Sequence, residues 1–322
     1  VSGSERTSLE VLARRSGRRP VAVEPLFGDV GRRRYFRLTL ENGGTVLGVV
    51  YPDEEADSRR RWVAAHEALR TRVRLPELLA DDGRGHQLVE DLGTEDLAQR
   101  LSDRPEARAV WLARAADAAA AIAGTPDPGI NPPFGAELFR RELDLSREAV
   151  FDLLAHSPLD RGEREAHDLW AAALVAEILG HPRSLCHRDF HANNLFPAGE
   201  SVAVIDFQDL RLGPDSYDLA SLLWERTTLA WMTEDTADET VARFAEGRGL
   251  EPEALGRRLR RVLLQRAWKA SGTFARAVAG GRGEMYRHYL PAEIALVRSL
   301  LTDSPEDRRF ARVLKSRSRA LC

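Results

Sequence analysis

The chain has 322 residues, with 47 Lys+Arg against 50 Asp+Glu and a formal net charge of -3, a balance that excludes a dedicated nucleic-acid binder. At 43% hydrophobic and 30% charged it is globular in composition, long enough for two domains, and lacks the roughly 20-residue apolar run of a membrane span. Its two cysteines, Cys186 and Cys322, cannot form a disulfide scaffold, so a reducing, cytoplasmic location is expected. In chain order, 9–15 reads as a short helix and 21–27, 33–40 and 45–51 as strands. Gly28-Asp29-Val30-Gly31 and Glu41-Asn42-Gly43-Gly44 are the turns between them. Residues 57–74 carry Trp62, Ala65, Leu69 and Val73 at helical spacing, with Pro76 as the stop. Two more strands follow at 78–80 and 86–90.

Beyond Asp91-Leu92-Gly93 the texture becomes helical, over 105–123, 134–155 and 163–180. A β-rich patch interrupts at 184–207, and helices return over 216–226, 235–246, 252–279, 284–303 and 305–317. The shift near Leu92 predicts an α+β chain with a β-rich N-terminal lobe, 1–92, and a larger, mainly helical lobe, 93–322.

The β-rich patch holds the chemistry. Leu185-Cys186-His187-Arg188-Asp189-Phe190-His191-Ala192-Asn193-Asn194-Leu195-Phe196 reads as a strand, a polar loop and a second strand. Val202-Ala203-Val204-Ile205-Asp206-Phe207-Gln208-Asp209 is a third strand ending in Asp-Phe. Phosphoryl transfer from Mg-ATP needs such a set: one carboxylate to take the acceptor's proton, and an amide oxygen with a second carboxylate to hold Mg2+.

This segment resembles the HxDxxxxN loop and following Asp of the aminoglycoside phosphotransferase/choline kinase family, relatives of protein kinases. The resemblance implies a two-lobed protein-kinase-like fold binding ATP and Mg2+. It makes Asp189 the catalytic base, His187 a brace of the loop, and Asn194 and Asp206 the metal ligands. It also implies that the hairpin at 28–37, with Arg33, Arg34, Tyr35 and Arg37, covers the nucleotide, and that backbone groups around Glu90 and Leu92 pair with adenine.

One departure follows from composition. Only two of the 47 cations are lysines, Lys269 and Lys315, so the third strand lacks the lysine with which kinases grip phosphate. Arginine cannot replace it as a nucleophile, but can as a cation. Strand alternation puts Arg33, Tyr35 and Arg37 on one face and Arg34 and Phe36 on the other, leaving open which faces the ligand.

Further segments are similar to one branch of that family, the bacterial N-acetylmuramate/N-acetylglucosamine anomeric sugar kinases. They are Arg33-Arg34-Tyr35-Phe36-Arg37-Leu38, Phe139-Arg140-Arg141-Glu142-Leu143-Asp144-Leu145, Ile205-Asp206-Phe207-Gln208-Asp209 and Gln265-Arg266-Ala267-Trp268-Lys269. The branch implies a small amino-sugar substrate phosphorylated on its anomeric hydroxyl, in cell-wall sugar recycling, with neither nucleic acid nor membrane as partner. Candidate acceptor contacts are Glu142, Asp144, Gln208, Asp209, Arg211 and Lys269. Glu142 and Asp144, two apart on a helix, point to different sides, so one of them at most faces the sugar. The alternatives are an antibiotic-modifying phosphotransferase and a catalytically inactive nucleotide-binding regulator.

Overall fold

The computed structural model describes residues 3–26, 32–281 and 283–317; the Gly28–Gly31 turn lies outside them. In chain order the first elements are α1 (Gly3–Arg15), β1 (Pro20–Leu26), β2 (Arg34–Leu40), β3 (Thr45–Val50), α2 (Ala56–Leu69), β4 (Leu78–Asp81), β5 (His86–Glu90) and α3 (Leu97–Asp103). Next come α4 (Arg108–Ala123), α5 (Ala136–Arg147), α6 (Arg161–Leu179), β6 (Arg183–Cys186), β7 (Leu195–Ala198), β8 (Ser201–Val204) and β9 (Arg211–Pro214). The rest is helical: α7 (Tyr217–Leu223), α8 (Glu234–Arg248), α9 (Pro252–Ala279), α10 (Gly283–Tyr286), α11 (Leu290–Leu300) and α12 (Pro305–Ser316).

Contacts divide the chain into two units. One comprises Val1–Pro105, Pro128–Ile130 and Ala192–Leu210; the other comprises Glu106–Asp127, Asn131–His191 and Arg211–Cys322. The division is therefore not a single cut in sequence, because the β7–β8 hairpin belongs with the N-terminal unit. That hairpin is tied to it by the main chain, where Val204 N–H donates to the Arg74 carbonyl at 2.9 Å.

The N-terminal unit is built on an antiparallel sheet in the order β1-β2-β3-β5-β4. Alternation gives its strands two faces. Phe36, Leu38, Val46, Val50 and Leu88 join Leu9, Leu12 and Ala13 of α1 in one apolar cluster. Gly48 permits this approach, since a Cβ there would stand 2.7 Å from a Leu9 methyl. Tyr35, Leu47, Val49 and Val89 are left for the opposite face.

The second unit packs its helices around α9. Trp170, Trp268 and Phe310 form its aromatic centre, with Trp170 and Phe310 stacked at 4.0 Å. Among the described residues no helix is long and apolar enough to cross a membrane.

Proline accounts for two differences from the predicted elements. An unexpected helix, α3, stops at Asp103 ahead of the one expected over 105–123, because the residue before Pro105 is disfavoured in helical geometry. Pro291, in the first turn of α11, restarts a helix that periodicity ran on from 284. Strand β9 was not expected: it lies beyond the predicted β-rich patch and pairs with β6 from Arg183↔Pro214 to Cys186↔Arg211.

Candidate functional site

The N-terminal unit holds a cavity of ≈ 390 Å³ on the sheet face away from α1. Leu47, Val49, Trp62, Val89, Phe196 and Ile205 give it apolar walls suited to a flat base. Its polar groups are Arg33, Tyr35, Tyr51, Glu90, Asn194 and Asp206. Trp62 stacks on His66 with ring centroids 5.0 Å apart and packs on Phe207 at 5.2 Å, so the wall and the residue after Asp206 share one aromatic cluster.

Of the expected nucleotide residues, Arg33, Tyr35, Glu90 and Leu92 line this cavity and Arg34 and Arg37 do not. Arg34 lies on the α1 face, paired with Glu5. Arg37 shares a face with Tyr35 but is held by Asp91 through two hydrogen bonds, at 2.6 and 3.0 Å. The Glu90 carboxylate pairs with Arg74 and accepts the Glu77 N–H at 3.1 Å, while Glu90 N–H donates to the Glu77 carbonyl at 2.9 Å.

Asn194 and Asp206 line the same cavity, linked through Ile205 N–H, which donates to the Asn194 carbonyl at 3.0 Å. Asp206 has φ +62°, a left-handed conformation costly for a residue with a side chain. Its Oδ1 accepts from Gln208 at 2.8 Å and from Arg33 at 3.0 Å. An amide and a carboxylate at one cavity wall supply hard oxygen donors, so this pair fits Mg2+. Gln208 is buried against Asp206, and Asp209 is half-buried in the same unit.

Asp189 and His187 belong to the second unit. His187 is fully buried, edge-on to Phe190 at 5.7 Å. Arg188, between them, has φ +83°. The loop is fixed by Asp218, in the first turn of α7, which accepts the N–H of His187 at 2.7 Å and of Arg188 at 3.0 Å. Burial pushes the Asp218 carboxyl up, against the pull of His187 and these two N–H groups. Removing this acceptor strands two amides, so Asp218→Ala is predicted to lose about 2–4 kcal/mol in urea unfolding. It should also reduce kcat well beyond KM; unchanged stability and kcat would refute the bracing role.

Burial alone would raise the Asp189 carboxyl, but Arg266, Lys269, Arg188 and His187 outweigh it and hold the group below the usual carboxylate range. Arg266 stacks on the Tyr217 ring at 4.8 Å and donates to the Arg188 carbonyl at 3.3 Å. Lys269 Nζ lies 2.9 Å from Glu142 Oε1, and Gln265 donates to Glu142 Oε2 at 2.9 Å. The seam between α5 and α9 makes this contact possible. A Cβ on Gly272 would fall 2.3 Å from Ser146 Oγ, so only glycine lets the helices approach this closely.

Glu142 and Lys269 are thus brought together. Asp144 is not with them: it pairs with Arg140 at 3.5 Å, as the helical spacing required. Arg211 places its guanidinium over the Phe134 ring at 5.4 Å. Gln265, Arg266 and Asp218 were not singled out as site residues in the sequence. The four-residue spacing of Gln265 and Lys269 on one helix was the available sign for the first.

Residues 22–262 match the model of the phosphotransferase enzyme family. The N-acetylmuramate/N-acetylglucosamine kinase of Neisseria meningitidis serogroup B is 30% identical over 275 residues, covering 82% of this chain and 80% of that one. The N-acetylmuramate/N-acetylglucosamine kinase of Pseudomonas aeruginosa is 30% identical over 217 residues, 66% of this chain and 62% of that one. The crystal structure of a choline/ethanolamine kinase family protein from Mesorhizobium loti aligns over 97% of this chain and 98% of its own, with TM-score 0.64 and 18% identity. The fold is the two-lobed α+β kinase-like fold. The chain belongs to the phosphotransferase enzyme family, as an ATP-dependent enzyme that phosphorylates a sugar or other alcohol acceptor.

Proposed function

We propose that the protein transfers the γ-phosphoryl group of ATP to the anomeric hydroxyl of N-acetylmuramate, N-acetylglucosamine or a related hexosamine, in cell-wall sugar recycling. The observation that carries this reading is the cationic surround of Asp189. A carboxylate held low by Arg266 and Lys269 is a weak base. It suits a hemiacetal hydroxyl, which is more acidic than an ordinary alcohol. The names of the curated relatives support the same sugars as acceptors. The surround disfavours a polycationic antibiotic, which would meet like charge at Arg266 and at Lys269, both kept protonated despite burial.

In this reading Asp189 takes the acceptor's proton, and Asn194 and Asp206 hold Mg2+, which when bound neutralises phosphate charge. His187 braces the loop from within the core. The nucleotide's base lies between Leu47, Val49 and Val89. Glu142, oriented by Gln265 and Lys269, accepts hydrogen bonds from sugar hydroxyls. The enzyme should convert one hexosamine of a panel to its 1-phosphate with Mg-ATP, identified by phosphorus-31 NMR coupling to the anomeric proton. Phosphate on C6, or turnover only with an aminoglycoside, would overturn the anomeric assignment.

A further inference from the structure

The nucleotide cavity contains one cation among its described lining residues, Arg33, and that cation is already engaged. Its guanidinium donates to Asp206 Oδ1 at 3.0 Å, with the Arg33 side chain 19% exposed, and Tyr51 lines the same cavity. Gln208 donates to the same oxygen at 2.8 Å. One carboxylate atom therefore carries a full cation and a neutral donor. It is also the carboxylate that fits a divalent metal.

A divalent cation on Asp206 and a guanidinium on its Oδ1 are like charges a few ångströms apart in a partly buried site, an arrangement that repels. Nucleotide phosphates bring negative charge into a cavity whose other charged groups, Glu90 and Asp206, are anions. Resting on the nucleotide reading above, we propose that Arg33 is the phosphate-gripping residue and that Asp206 holds it in reserve. When a metal takes Asp206, Arg33 is released to the phosphates. The single arginine serves two anions in turn, so metal and phosphate binding are coupled and each alone is weak. The coupling is reciprocal by linkage.

The test measures binding and needs no turnover. Mn2+ affinity is read by EPR without nucleotide. ADP and adenosine affinities are read by calorimetry with and without Mg2+. The protein variants are wild type, Arg33→Gln, Arg33→Lys and Asp206→Asn. Freeing Asp206 from its competitor, Arg33→Gln should bind Mn2+ about five- to tenfold more tightly than wild type, yet bind Mg-ADP about tenfold more weakly. Arg33→Lys should recover part of the ADP loss. Asp206→Asn should abolish Mn2+ binding and tighten metal-free ADP, because Arg33 is no longer held. Adenosine, which has no phosphate, should bind all four alike. Mn2+ affinity unchanged or weakened in Arg33→Gln, with ADP still bound by wild type, overturns the exchange alone. A wild type that binds neither ADP nor adenosine overturns the nucleotide reading, and the exchange with it.

Discussion

Replacing Asp189 with Asn should lower kcat by about 10³-fold while ADP affinity stays within about twofold of wild type. The substitution preserves shape and removes the proposed proton acceptor. Asp189 is not among the residues that line the proposed nucleotide cavity, so the expected effect falls on kcat rather than on ADP. The surround of Asp189 adds a second expectation. Because Arg266, Lys269, Arg188 and His187 hold its carboxyl below the usual carboxylate range, the group is ionised throughout the neutral and mildly acidic range. Wild-type kcat/KM should therefore show no acidic limb from this group between about pH 5 and 7. Initial rates followed by coupled ADP release, with calorimetry for ADP, check both. Activity within tenfold of wild type in Asp189→Asn would remove the residue from the base role.

The parts of this molecule that were legible in the sequence are those in which local pattern and final environment agree. The β5 strand His86–Glu90 and helix α9 Pro252–Ala279 stand where periodicity and punctuation put them. The loop from His187 to Asn194 announced itself because His187, Asp189 and Asn194, with Asp206 twelve residues on, stand at fixed spacing between apolar strands. The face of β2 was not legible. Alternation separates Arg33 and Tyr35 from Arg34, but only the sheet's packing against α1 tells which side is left as cavity. Arg37 shows a further limit: it has the right parity, yet Asp91, far off in sequence, takes its charge. Asp218 was readable only as a helix-start carboxylate, because the amides it accepts lie thirty residues upstream. The shared carboxylate of Glu142 was likewise invisible, since its partners come from another helix across a seam that Gly272 permits.

Glu293→Gln should stabilise the protein by about 4 kcal/mol at pH 8 and leave it unchanged near pH 4. Glu293, on α11, is 1% exposed and its Oε2 accepts no hydrogen bond. Burial first, then the nearby charge of Glu225, push its carboxyl from 4.5 up to about 8, with Arg266 pulling the other way. A raised folded-state pKa sets the sign. Below about pH 4.5 both folded and unfolded chains carry the proton, and the residue costs nothing. Between that point and about pH 8 the unfolded chain releases a proton that the folded chain must keep, so stability falls with rising pH. Above the folded value the carboxylate is ionised inside the protein at full cost. Glutamine mimics the neutral acid and removes the whole slope, so the difference between urea-unfolding curves of variant and wild type should widen steadily from pH 5 to 8. Parallel pH profiles would show that Glu293 ionises normally in the fold. Arg266 links this residue to the proposed base, because the same guanidinium lowers both Glu293 and Asp189. In wild type, ionised Glu293 draws on that charge above pH 8, so an alkaline change in kcat/KM should be present there and absent in Glu293→Gln.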